Sequence, residues 1–351
     1  MQEMNSISCC NSRRVLAVAL TLLVCAILAN TSMGQLNIVQ PPSSLGKTVQ
    51  GRSGSVVYFY VQNPDDNQSI VSIVYSGKSN DWTHDLSSVL DLRSYPNLCH
   101  LTFYQTHVTQ EMLECIRDLK TISKLEIEAC SFERGAAEAI GSLSALDALL
   151  IDGNCPALRE LGFLPRLTSL EQLELIGQGF PEHSITKVFQ CKKLKTLSLT
   201  VSSDATEDCF VGLSALNELR SLSINGWPAS AAAIKELGTM QKLEKLRLAG
   251  ASLNGDDLSL ITTLKNLEEL SLATISSNLV SSQVNRENRI RRLQLQFDMP
   301  DLSPHMFGFL SNFLKLEKFV CNNRSDFPAD LMVSHPSLKE VVLLNANRPR
   351  E

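Results

Sequence analysis

Aromatic residues are scarce in this chain. Two tryptophans, five tyrosines and thirteen phenylalanines make up 6% of 351 residues. A surface that grips neutral sugars by ring stacking has little to draw on. Charge of one sign is also lacking. Thirty-two basic residues face 37 acidic ones, a net charge of −5. No basic stripe is available to follow a phosphate backbone, so the reading excludes nucleic acid as a partner. There is no CxxC, no HExxH, no GxSxG and no glycine-rich phosphate loop, and the six histidines are scattered. No cofactor or metal centre is expected from such a set.

Long apolar runs are absent after the first thirty residues. The one exception is "VLAVALTLLVCAILA", Val15 to Ala29, preceded by Arg13 and Arg14 and followed by the small residues of "NTSMG". That layout predicts a secretory signal peptide over 1–34, cleaved after Gly34. Fifteen apolar residues are short for a membrane span, which needs about 20. The expected location is exported: secreted, periplasmic or at the cell surface. A retained N-terminal anchor is the alternative, and only then is membrane contact expected. Removal of the leader takes away Glu3, Arg13 and Arg14 and leaves 30 basic against 36 acidic residues.

Of ten cysteines, Cys9, Cys10 and Cys25 lie in the leader, and the remaining seven make no paired framework. Cys191, Cys209 and Cys130 fall at apolar positions and read as small buried hydrophobes. Cys99 and His100 are neighbours on a predicted strand, so their side chains diverge, and a thiol nucleophile with its base in reach is not expected there. The chain is not read as an enzyme.

What the sequence does have is a period. "LEKLRLAG" at Leu243–Gly250 returns as "LEELSLAT" at Leu267–Thr274, 24 residues later. The pattern Leu-x-x-Leu-x-Leu starts at Leu98, Ile122, Leu146, Leu170, Leu194, Leu219, Leu243, Leu267, Ile290, Leu316 and Leu338, with intervals of 22 to 26 residues. Self-similarity at that spacing means stacked supersecondary units. Within each unit the fourth and sixth positions are apolar, as at Leu173 and Leu175, which predicts a strand with one buried face. The second half changes period. Leu113, Ile116 and Leu119 are three apart, as are Leu161, Leu164 and Leu167, which predicts a helix or helical turn. "PASAAAIKEL" and "NGDDLSLI" carry helix-start signals. No single unit can bury its leucines, but parallel neighbours can. Strands crowd about 4.8 Å apart while helices need about 10 Å, so the stack bends with its sheet inside.

"LxxLxLxxxxLxxxxLxxLxxL" resembles the leucine-rich-repeat family, in the 24-residue form of many bacterial members, from Leu98 to Leu344. The resemblance implies an α/β solenoid, a curved horseshoe with a parallel β-sheet on the concave face and helices on the convex face. It also implies a binding scaffold. The family's ninth position is usually Asn or Cys. Here Cys130 and Asn154 fit, whereas Thr106, Gln178, Ser202, Trp227, Ala251 and Ile275 do not. The expected layout is an N-terminal cap over 35–95, with a degenerate repeat near Ile70, a solenoid of about 11 units over 96–344, and a tail at 345–351. "SVVYFYV" and "SIVSIVYS" read as strands, "HDLSSVLDL" as a helix, and Ala273–Arg289 as a looser convex loop.

The concave face is the expected partner surface. Glu126, Glu128, Asp147, Asp152, Glu171 and Glu174 make an acidic group there, opposed by Lys124. Lys195, Arg220, Lys245 and Arg247 make a basic group beside it, opposed by Glu244. A dipolar face of this kind steers an oppositely patterned protein. The competing account is self-pairing: equivalent positions stack on adjacent strands, and opposite charges there bond to each other. Spread over several strands, the carboxylates do not gather into a calcium loop. Tyr104 and Phe297 are the aromatics placed on this face, which leaves glycan binding as a weaker alternative. Cys130 and Cys155 come from adjacent units at nearly the same position, so both a disulfide and two buried thiols fit the spacing.

Overall fold

The computed structural model describes residues 48–50, 56–61, 70–76, 92, 95–152, 154–202, 205–227, 231–250, 253, 255–275, 284–297, 304–322 and 329–344. The chain divides into Met1–Leu45, which lies outside the described residues, and Gly46–Glu351. The predicted leader, the helix over "HDLSSVLDL" (apart from Leu92) and the tail also fall outside. Among the described residues no helix is long and apolar enough to cross a membrane.

Strands dominate. β1 (Thr48–Gln50), β2 (Val56–Val61) and β3 (Ile70–Ser76) come first, followed by β4 (His100–Tyr104), β5 (His107–Val108), β6 (Lys124–Glu128), β7 (Ser131–Phe132) and β8 (Ala148–Asp152). Then come β9 (Gln172–Phe180), β10 (Thr196–Val201), β11 (Ser221–Asn225), β12 (Lys245–Ala249), β13 (Glu269–Ile275), β14 (Arg292–Phe297), β15 (Lys318–Cys321) and β16 (Glu340–Leu343). One open sheet runs β1-β2-β3-β4-β6-β8 and onward in sequence order to β16, while β5 and β7 form a small parallel pair. β2 pairs antiparallel with both β1 and β3, and from the β3–β4 pair on every pairing is parallel. The fold is thus an unclosed α/β leucine-rich-repeat solenoid.

The repeat spacing sets the register. Leu125 pairs with Leu101 and with Leu149, and Leu222 pairs with Leu197 and with Leu246. Each such leucine is almost completely buried. Helices close the other side. They are α1 (Gln110–Asp118), α2 (Ala136–Gly141), α3 (Glu182–Val188), α4 (Ala231–Gly238), α5 (Gly255–Ile261) and α6 (Ala329–Ser334). α1 is capped by Thr109, whose hydroxyl accepts from Met112 N at 3.4 Å, and it buries Met112, Leu113 and Ile116. At Leu161, Leu164 and Leu167, by contrast, the same three-residue spacing goes with a 3-10 turn, Leu164–Arg166.

A backbone ladder locks each unit to the next. The carbonyl of the second residue of a unit accepts two N–H groups from its successor. Cys99 O takes Ser123 and Lys124 at 2.9 and 3.0 Å. Lys195 O takes Arg220 and Ser221 at 2.9 and 3.0 Å, and the same bifurcation recurs through Glu317.

The inward residue at or just past the end of each repeat strand is mostly apolar rather than asparagine. Cys130, Cys155, Phe180, Val201, Trp227, Leu253 and Phe297 fill that row. Two expectations are corrected here. Asn154 is exposed, because it turns back onto Asp152 and Cys155 takes the inward place. Phe297 is buried at 4% exposure and so is not on the strand face. Asparagine performs the turn bond at Asn322, which accepts from Phe297 N at 2.7 Å and donates to Phe297 O at 2.9 Å. β9 also departs from the simple repeat. Leu175 pairs with Leu199 but Phe180 with Val201, so β9 carries three extra residues there. Gly179 sits in this detour, and a Cβ on it would overlap the backbone of Ser202.

Candidate functional site

Strand alternation sends the third, fifth and seventh residues of each unit outward. Across β11 to β15 this outer face encloses a hollow of about 360 Å³, lined by residues such as Ser223, Lys245, Arg247, Glu269, Gln294 and Lys318. The face carries six of the ten charged residues in question or their immediate rows. Glu126, Glu128, Asp152, Glu174, Lys245 and Arg247 lie within strands β6, β8, β9 and β12. Asp147, Glu171, Lys195 and Arg220 occupy the second position instead, forming a row along the strands' N-terminal edge.

Most of the basic residues are engaged by their own neighbours. Along the edge, Lys195 Nζ lies 2.7 Å from Glu171 and Arg220 2.7 Å from Glu244. On the face, Lys245 and Arg292 share Glu269 at 3.0 and 2.9 Å, and Lys318 meets Glu340 at 2.7 Å. These are half-exposed pairs worth at most about 1 kcal/mol each. Arg247 differs. It is exposed, stands between Ser223 and Ser271 in register, and has no ion pair among the described residues.

At the other end of the face the polar groups are buried. His100, Thr102 and Glu126 are 6%, 3% and 8% exposed. The Thr102 hydroxyl donates to Glu126 Oε2 at 3.0 Å, and His100 Nε2 lies 3.3 Å from the same oxygen. Lys124 Nζ sits 2.6 Å from Glu126 Oε1. Burial alone would raise the Glu126 pKa. The hydrogen bond and charge from His100, together with Lys124, outweigh it and hold Glu126 down at about 2. Glu126 is thus spent inside a network. Reading along the chain missed that network because His100 was weighed against Cys99. Glu126 lies 24 residues from Thr102 and 26 from His100, across the strands, and the repeat period was the signal that could have found them.

Glu128 has no such partners. It is 8% exposed, and its carboxylate makes no hydrogen bond or ion pair among the described residues. Burial and then the charges of Glu126, Asp152 and Glu174 raise its pKa. Tyr104, its register neighbour, is raised as well, by burial and by Glu128. Asp152 accepts from Asn154, at 3.0 Å from N and 2.9 Å from Nδ2, and meets no cation. Glu174 is exposed. The three form an uncompensated acidic surface, edged by Tyr104 and Leu150.

Cys130 and Cys155 are side by side beneath this surface as free thiols. Cys130 N donates to Cys155 Sγ at 3.2 Å, and Cys130 Sγ donates to the Glu128 carbonyl at 3.1 Å. Burial raises the Cys130 thiol, while the hydrogen bond from Cys130 lowers Cys155. Among the described residues, no group of three or more His, Cys, Asp or Glu is arranged to hold a metal ion.

No family model matches the chain, and no curated protein does. Similarity appears among solved structures. An internalin from Listeria monocytogenes is 16% identical, with 80% of this chain and 82% of that one covered and a TM-score of 0.50. The mouse RP105/MD-1 complex and a TLR13–ssRNA13 complex each match 71% of this chain at 16% identity and a TM-score of 0.46. This chain spans 47% and 39% of those two, and at that score they add nothing to the argument. The internalin likeness is one of fold.

Proposed function

We propose that this leucine-rich-repeat solenoid is an exported, non-catalytic scaffold that binds a protein partner through the outer, concave face of its sheet. The observation that carries the reading is Glu128. Elsewhere on the face, carboxylates stand against a cation from the same or the next strand. Glu128 is buried among Asp152, Glu174 and Glu126 with no cation among the described residues to answer it. A desolvated, unpaired carboxylate raises the free energy of the uncomplexed protein, and a cationic group from a partner relieves that cost. The sheet is held rigid by its backbone ladder, so ordering costs on binding are small.

The test is capture from the envelope and medium of the source cells by the chain from Gln35 onward. A variant with Glu128→Gln, Asp152→Asn and Glu174→Gln removes the acidic surface and keeps its shape. A second variant, Lys195→Ala with Glu171→Ala, removes one edge pair. The expected result is loss of a captured protein with the first variant and retention with the second, both showing wild-type circular dichroism. Equal capture by all three forms would place binding elsewhere.

A further inference from the structure

Internal pairing leaves two places on the strand face with unanswered charge. One is the acidic surface on β6, β8 and β9. The other is Arg247 on β12. Two serines flank it in register, Ser223 and Ser271, and they leave its guanidinium free on both sides. Between the two poles lie β10 and β11. Their third- and fifth-position residues, Thr196, Ser198, Ser221 and Ser223, are small, hydroxylated and uncharged. Such a floor lets a main chain lie close and supplies hydrogen bonds along it.

The strand order fixes the separation. From β12 it is three steps to β9 and five to β6. At about 4.8 Å per step the poles stand roughly 15–24 Å apart. An extended chain covers about 3.3 Å per residue, so the gap corresponds to roughly five to seven residues.

We infer, resting on the protein-binding reading above, that the face receives an extended segment of the partner laid across the strands. A Lys or Arg of that segment seats at Glu128, and an Asp or Glu about seven residues away, matching the five strand steps from β6 to β12, seats on Arg247. The Arg247 fork is suited to gripping a carboxylate with two parallel hydrogen bonds. The cationic end gains most at Glu128, where water has already been excluded and the field is strong. An anionic glycan would satisfy Arg247 alone and be repelled by the acidic pole. A neutral one would find few rings to stack on.

The experiment uses the chain from Gln35 with arginine side chains labelled with nitrogen-15, followed by NMR. The main probe is a peptide with two lysines and two glutamates separated by six glycine and serine residues. Comparison peptides carry a two-residue spacer, lysine only, or glutamate only, and a heparin oligosaccharide is titrated alongside. The long-spacer peptide is expected to move the Arg247 Nε–Hε signal and to bind several-fold more tightly than the others, because its ends act together. Glu128→Gln and Arg247→Gln, each checked for cooperative melting with no loss of stability, are each expected to erase that advantage.

The inference is overturned if no peptide binds, if spacer length makes no difference, or if glutamate alone binds as well. It also fails if Arg220 and Arg292 respond as much as Arg247, or if the oligosaccharide binds best. If partner capture still depends on the three carboxylates in any of those cases, the scaffold reading stands and only the two-pole spacing falls.

Discussion

Replacing Glu126 by Gln keeps the size of the side chain and removes its charge. In the folded protein Glu126 is held at about 2 against an ordinary 4.5. At about 1.36 kcal/mol per pKa unit, that preference for the ionised form is worth roughly 3 kcal/mol. The residue is 8% exposed, so little of this is lost to solvent. A carboxylate with a depressed folded pKa stabilises fully above its unfolded pKa, and the stabilisation is lost as pH falls through the folded value. Wild type should therefore exceed Glu126→Gln by roughly 3 kcal/mol at pH 7, shrinking to roughly 1 kcal/mol by pH 3. Urea unfolding of both proteins at several pH values measures this difference. Glu128→Gln supplies the opposite sign. Its folded pKa is raised, so its contribution is present below the unfolded pKa and lost as pH rises through the folded one. Glu128→Gln should accordingly be more stable than wild type at pH 7. A gap below about 1 kcal/mol for Glu126→Gln at pH 7, or a destabilised Glu128→Gln, would refute the reasoning.

Other outcomes follow from packing and burial. Trp227 is 1% exposed against Phe210, ring centroids 4.5 Å apart, so Trp227→Ala should cost about 3–5 kcal/mol in thermal or urea unfolding. Trp227→Phe should cost much less, since the indole Nε1 has no hydrogen-bond partner among the described residues. Gly179→Ala must displace the backbone at Ser202 and should cost about 1–3 kcal/mol by the same assay. In native protein at pH 8, Cys99 and Cys115, both half-buried, should alkylate before Cys191, Cys209 and Cys321. Burial pushes those three up to about 11, 12 and 12. Mass-spectrometric mapping reads the order, and fast labelling of Cys209 would contradict it.

The period made the sheet readable because each apolar position had to recur where its neighbour's did. Leu101, Leu125 and Leu149 are one stripe on three strands for that reason. The charge ladders were readable on the same ground, as Lys245 against Glu269 shows. The detour in β9 was not, since Gly177 and Gly179 preserve the 24-residue spacing while changing the path within it. Nor was the inward turn at Cys155 in place of Asn154. That choice depends on whether the Asn amide finds a better acceptor outside, and Asp152 provides one. Which acids were free was hidden as well. Glu126 and Glu128 are two residues apart on one strand, and what separates a satisfied group from an unsatisfied one is that Lys124, Thr102 and His100 all converge on Glu126.

The bifurcated carbonyl ladder has an effect on how such a protein can change length. Each second-position carbonyl offers the same acceptor geometry to whatever unit comes next, and each unit presents the same two donors. Excising one whole unit between β9 and β12 would therefore let the flanking repeats rejoin with no backbone group orphaned. What would change is the spacing of features on the sheet, by one strand width of about 4.8 Å. In this architecture the distance between two surface groups is a whole-number quantity, altered by splicing units rather than by bending loops.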